Sequence, residues 1–221
     1  MGRDIAIDTP DGSIGAWRAD PEGAPLGALV VVQEIFGVNA HIRSVADGYA
    51  AAGYVAVAPD YFAPIERGVE LGYDADGFAR GRGLANALGL DRAVAITDAT
   101  ARLLRGEGLK VGVVGFCWGG TVAFLSATRL GLPAVAYYGA RDVPFLDEPL
   151  RAPAMFHFGE RDASIPPRDV QLHREKLPQA QVFTYPAGHA FNRDVDADAY
   201  DADSARTARK RTLDFFAAAL A

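Results

Sequence analysis

The run Val111-Gly112-Val113-Val114 passes directly into Gly115-Phe116-Cys117-Trp118-Gly119-Gly120 and then into the helix-forming stretch Thr121-Val122-Ala123-Phe124-Leu125-Ser126. Few backbones accept this order. A strand that turns at once into a helix through glycine, any residue, a nucleophile, any residue and glycine pushes the central side chain to a strained, exposed apex. The small flanking residues relieve the crowding. Cys117 takes that apex, with its thiol at the positive end of the helix dipole.

The rest of the chain supplies the sheet such an elbow needs. Ala28–Gln33, Val55–Pro59, Lys110–Gly115, Ala134–Tyr138, Ala154–Gly159 and Gln181–Tyr185 read as strands. Between them, Asn39–Ala52, Arg92–Leu104, Gly119–Thr128, Pro167–Lys176 and Tyr200–Leu220 carry apolar residues near helical spacing. This alternation predicts an α/β fold with a mostly parallel central sheet and helices on both faces. Ile5–Asp8 and Ile14–Ala19 read as an antiparallel hairpin at one edge. Ala63–Leu90, rich in Gly and Ala, has a weak pattern and reads as a partly helical cap over a site. With 221 residues, half of them hydrophobic, the chain is expected to form one domain over residues 1–221.

Composition narrows the function. The single cysteine excludes an intramolecular disulfide and a zinc site built on cysteines. A net charge of −6 without a basic cluster argues against nucleic acid as a partner. No run nears the roughly 20 apolar residues of a membrane span, and Met1-Gly2-Arg3-Asp4 lacks a signal-peptide core. A cytoplasmic protein that does not engage membranes is expected.

A nucleophile at an elbow reacts at the carboxyl ends of parallel strands, so its partners belong just after later strands. Gly159-Glu160-Arg161-Asp162 follows one strand, and Ala187-Gly188-His189 follows the next. Cys117, Asp162 and His189 then stand in the α/β-hydrolase order of nucleophile, acid and base. His189 would take the thiol proton, and Asp162 would fix its tautomer. Glu160 competes for the acid role, but Asp162 lies further past the strand and is preferred. His41, in the first turn of a helix, His157, within a strand, and His173, within a surface helix, are read as structural. The oxyanion hole would use the N–H of Trp118 and one from the loop Gln33–Asn39, for which Ile35 is chosen.

Several motifs together resemble the dienelactone hydrolase (carboxymethylenebutenolidase) family: Gln33-Glu34-Ile35-Phe36-Gly37, Gly115–Gly120, Tyr137-Tyr138-Gly139, the glycine and aspartate of Gly159–Asp162, and Ala187-Gly188-His189-Ala190-Phe191. The likeness spans nearly the whole chain. It implies an α/β-hydrolase fold that hydrolyses dienelactone to maleylacetate in the breakdown of catechols, with no metal or cofactor and monomer as the default. By motif, Cys117, Asp162 and His189 match the triad, and Glu34 a glutamate near the nucleophile. Arg193 and Arg80 match arginines that hold the substrate carboxylate, with Arg82 an alternative to Arg80; Phe36 joins them as a substrate contact. A solvated helix face is the plainer reading of Arg80. This chain departs from the pattern in its pocket: Leu84 and Ala87 stand where the family enzyme resembled most closely has tyrosine and tryptophan, and Ala190 replaces the usual serine.

A carboxylate beside a thiol disfavours the thiolate and an imidazolium favours it. Glu34 is therefore expected to keep the resting thiol protonated until an anionic lactone or ester draws it toward Arg193. Two other readings stand beside lactone hydrolysis. One is a broader carboxylesterase or thioesterase using the same triad; the other is a noncatalytic binding or redox-sensing module on a hydrolase fold. The acidic run from Asp194 to Asp203 resembles a calcium loop, but Ala199 and Ala205 fall where such a loop needs glycine and glutamate. It is read as a solvated lead-in to the last helix.

Overall fold

The structure is a computed structural model and describes residues 2–221. It contains the strands β1 (Arg3–Thr9), β2 (Gly12–Ala19), β3 (Gly27–Val32), β4 (Tyr54–Pro59), β5 (Val111–Phe116), β6 (Ala134–Tyr137), β7 (Ala154–Gly159) and β8 (Gln181–Tyr185). The helices are α1 (Ala40–Ala51), α2 (Ala75–Leu88), α3 (Leu90–Gly106), α4 (Trp118–Arg129), α5 (Pro167–Lys176) and α6 (Ala202–Ala219), with a short 3-10 turn at Val143–Phe145. The eight strands form one sheet in the order β1-β2-β4-β3-β5-β6-β7-β8. Two compact units make up the chain, the first ending at Val113 and the second beginning at Val114.

In the first unit, β1 and β2 form the expected hairpin, antiparallel from Arg3 opposite Arg18 to Thr9 opposite Gly12. Its turn closes at Gly12, whose φ of +102° a side chain would disfavour. β2 runs antiparallel to β4, and β3 is parallel to β4. Every residue of β3 and β4 is buried, which explains why these strands read as continuous apolar runs rather than alternating ones. Asn39 caps α1 by accepting the Ile42 N–H at 3.2 Å.

The weakly patterned segment resolves into turns followed by α2, capped by Asp74, which accepts the Gly77 N–H at 2.7 Å. Its glycines blur the helical signal, yet close packing requires two of them. A Cβ on Gly77 would come within 2.1 Å of the Gly72 carbonyl, and one on Gly81 within 2.1 Å of the Ile35 carbonyl.

In the second unit, β6, β7 and β8 are consecutive parallel neighbours. Their interior holds a satisfied polar chain. Arg211 Nη1 donates to the Tyr185 hydroxyl at 3.0 Å, and that hydroxyl donates to His157 Nδ1 at 2.8 Å. His157 Nε2 in turn donates to Thr212 Oγ1 at 3.1 Å, which leaves the ring neutral. Burial first, with the positive Arg211 adding to it, pushes the His157 pKa down to about 3. The structural reading of His157 fits these contacts. That of His173 fits too: it lies on α5 as expected, with its side chain turned inward and 1% exposed. Its Nε2 is 3.2 Å from Asp142 Oδ2, and Asp142 also accepts from Thr121 Oγ1 at 2.5 Å. No helix among the described residues is long and apolar enough to cross a membrane.

Candidate active site

β5 ends at Phe116 and α4 begins at Trp118, so Cys117 alone makes the turn, at φ 56° and ψ −120°. The surrounding glycines follow from contact distances. A Cβ on Gly115 would lie 1.8 Å from the Gly119 carbonyl, and one on Gly120 would lie 2.6 Å from the Tyr137 carbonyl. That carbonyl accepts the Cys117 N–H at 3.0 Å, fastening the apex to the end of β6. Trp118 opens α4, where main-chain N–H groups point out of the helix, the geometry that an oxyanion donor needs.

The loops that carry Asp162 and His189 are stitched together by their backbones. Glu160 N–H donates to Tyr185 O at 2.8 Å, and Arg161 N–H donates to Ala187 O at 2.9 Å. A Cβ on Gly159 would meet the Gly188 and Ala187 carbonyls at 2.5 and 2.6 Å, so the first residue of the Gly-x-x-Asp motif must be glycine. Asp162, its side chain fully buried, receives the Ser164 N–H on Oδ1 at 2.8 Å. His189 Nδ1 lies 2.6 Å from Asp162 Oδ2, which leaves the other ring nitrogen for the side-chain hydrogen bond with Cys117.

Burial by itself would lower the His189 pKa. The negative charge of a Cys117 thiolate, the bond to Asp162 and the bond to Cys117 outweigh it and push the value up to about 10. Asp162 and Cys117, on either side of the ring, both favour its protonated form. That arrangement can deliver a nucleophile and a proton donor together.

One neighbour went unremarked in the sequence except as part of Tyr137-Tyr138-Gly139. Tyr138 has a φ of 42°, is fully buried, and sets its ring 5.0 Å from the His189 ring. Its N–H donates to the His157 carbonyl at 2.8 Å. Cys117, Tyr138 and Ala190 (φ 62°) are the non-glycine residues at positive φ among the described residues, and all three adjoin His189. Backbone strain collects at functional sites in this way.

Glu34, Ile35 and Phe36 belong to the first unit, in the loop after β3, and all are buried. Leu71 N–H donates to Phe36 O at 2.9 Å, and the Phe36 ring meets Tyr73 edge-on at 4.7 Å. Gly37, at φ 84°, allows this approach, since a Cβ there would fall 1.7 Å from Val69 O. Arg80 lies on the exposed side of α2, with 55% of its side chain exposed, and forms an ion pair with Glu66. Arg82 and Ala87 are also exposed, whereas Leu84 is buried. Arg193 is buried in the loop after His189, where its Nη1 lies 3.0 Å from Asp196 Oδ2. No group of three or more His, Cys, Asp or Glu among the described residues is arranged to hold a metal ion.

A mostly parallel sheet with Cys117 at the tight turn after its fifth strand, Asp162 after the seventh and His189 after the eighth has the arrangement of an α/β-hydrolase fold. The profile of the dienelactone hydrolase family matches residues 14–220. The carboxymethylenebutenolidase of Pseudomonas putida is 36% identical over 226 residues, which cover 96% of this chain and 95% of that one. A solved structure from Klebsiella pneumoniae, provisionally named a dienelactone hydrolase, is 31% identical, superposes with a TM-score of 0.87 and covers 98% of each chain. The dienelactone hydrolase of Anabaena variabilis shares the fold at a TM-score of 0.71 and 17% identity, covering 100% of this chain and 99% of that one. The chain belongs to the dienelactone hydrolase family, and with it to the carboxylic ester hydrolases.

Proposed function

We propose that this protein is a cysteine hydrolase of lactone esters, and that its reaction is the conversion of dienelactone to maleylacetate in the breakdown of chlorinated or other catechols. The observation that carries this reading is the relay of Asp162, His189 and Cys117, with the 2.6 Å bond from His189 to Asp162 at its centre. The similarity to a relative named carboxymethylenebutenolidase supports the substrate class. Cys117 attacks the lactone carbonyl as the thiolate, and the N–H groups of Trp118 and Ile35 receive the oxyanion. Collapse breaks the ring C–O bond. The leaving enolate takes the proton from His189, and a thioester remains on Cys117. Neutral His189 then deprotonates a water molecule, which hydrolyses the thioester, and the departing thiolate takes that proton back from His189 to restore the resting thiol. A stabilised enolate leaving group suits a thiol nucleophile. Arg193, with Phe36 and Arg80, is assigned to the substrate, a small anionic lactone or ester. Glu34 is assigned to oppose the thiolate at rest, and Glu34→Gln should alter the rate and pH profile of Cys117 alkylation; identical profiles remove it from the mechanism.

A broader carboxylesterase or thioesterase is the second reading. It is favoured by the engagement of Arg80 with Glu66 at the surface and by Ala190 in place of a hydroxyl-bearing residue. Steady-state hydrolysis of cis- and trans-dienelactone beside p-nitrophenyl acetate separates the two, with Cys117→Ala as control. Far higher kcat/KM on dienelactone, abolished in the variant, supports the lactone reading. Turnover of the simple ester alone transfers the function to a general esterase.

A further inference from the structure

The loop after His189 folds back on itself through two main-chain bonds. Arg193 N–H donates to Ala190 O at 2.8 Å, and Asp196 N–H donates to Arg193 O at 3.1 Å. These turns bring Asp196 Oδ2 to 3.0 Å from Arg193 Nη1, with the two side chains 23% and 9% exposed. Asp194 and Asp198, its neighbours in the acidic run, are exposed, whereas Asp196 is turned inward. A pair this far out of water is screened much less than the surface pair of Arg80 and Glu66, whose side chains are 55% and 45% exposed.

We propose that Asp196 is a specificity-determining residue, an internal carboxylate that competes with the carboxylate of the substrate for Arg193. The inference rests on the ester-hydrolase reading above, in which Arg193 receives the anionic end of the substrate. Asp196 touches Arg193 rather than the reacting atoms, so its effect is on binding. Every ester hydrolysis creates a carboxylate, and a lactone that already bears one leaves as a dianion. Without the Asp196 carboxylate, the Arg193 guanidinium would hold such a product still more tightly than the substrate and slow turnover. Asp196 weakens the hold on both, most on the more negative species, and so favours release and the admission of uncharged esters.

Three measurements on the wild type, Asp196→Asn and Asp196→Ser test this: kcat/KM for p-nitrophenyl acetate, kcat/KM for the mono-p-nitrophenyl ester of succinate, and calorimetric titration with maleate. In both variants the anionic-to-neutral ratio of kcat/KM should rise about fivefold to tenfold, mainly through KM, the scale of one charge-assisted hydrogen bond at a partly exposed pair. Maleate should bind more tightly by a similar factor. An unchanged ratio with unchanged maleate affinity overturns the proposal while leaving the hydrolase reading intact. A fall in both means that Asp196 orients Arg193, and this too overturns it, as does failure of both variants to fold. If the wild type hydrolyses neither ester but maleate binds the variants more tightly, the competition at Arg193 stands and the hydrolase reading falls.

Discussion

At the scale of single residues, the chemistry gathers around one imidazole. Asp162→Asn removes the acceptor that holds Nδ1–H and should lower kcat by about 10²- to 10⁴-fold with a smaller effect on KM, as measured by steady-state ester hydrolysis. Ala190 holds a φ of 62°, where an L side chain is strained. Ala190→Gly should therefore raise stability by up to about 1 kcal/mol in urea unfolding, since glycine adopts that conformation without strain. Cys117, Asp162 and His189 stood out in the sequence because each falls just past an apolar run that reads as a strand, within three residues of a glycine. Tyr138 did not, because a strained tyrosine against a histidine leaves no spacing in the chain. The pairing of Asp196 with Arg193 was equally hidden: Asp196 looked like one more acid in a solvated run.

At the scale of elements, the clearest strands and helices of the sequence are present with ends shifted by one or two residues, as expected where caps fray. α2 was the obscure one, because Gly77, Gly81 and Gly83 dilute the helical pattern. Gly81→Ala sets two effects against each other. Helix propensity gains about 1 kcal/mol, but the new methyl would sit 2.1 Å from the Ile35 carbonyl, a backbone atom with little freedom to move. Overpacking of that severity costs about 3 kcal/mol or more. The variant should thus be less stable in urea despite its better helix former, and a gain in stability would disprove the close approach. α5 shows the converse case. Its span matches the sequence reading, yet its low apolar content concealed that His173 points inward to Asp142.

At the scale of the whole molecule, two histidines shifted in opposite directions shape the dependence of stability on pH. His189, raised from about 6.5 to about 10, contributes stability that is complete below 6.5 and is lost as the pH climbs through 10. His157, lowered to about 3, does the reverse: its contribution is complete above 6.5 and is lost as the pH falls toward 3, because the unfolded chain takes up a proton that the buried ring refuses. Urea midpoints should therefore peak near neutral pH and decline on both sides. His189→Gln should flatten the alkaline limb, and a His189 proton resonance that titrates at an ordinary midpoint near 6.5 would remove the ion pair on which the site depends.

The sequence by itself determined the layered α/β plan, the tight turn around Cys117 and the chain order of Cys117, Asp162 and His189. These depend on local sterics and on hydrophobic periodicity, which neighbouring residues are enough to express. Only the tertiary structure decided which side chains meet. The stitching of Gly159 to Ala187 and Gly188, the bond from His189 to Asp162, the inward turn of His173 and the pairing of Arg193 with Asp196 all depend on where distant segments or neighbouring turns come to rest. Those positions are set by packing distances of a few tenths of an ångström, to which composition and spacing are blind.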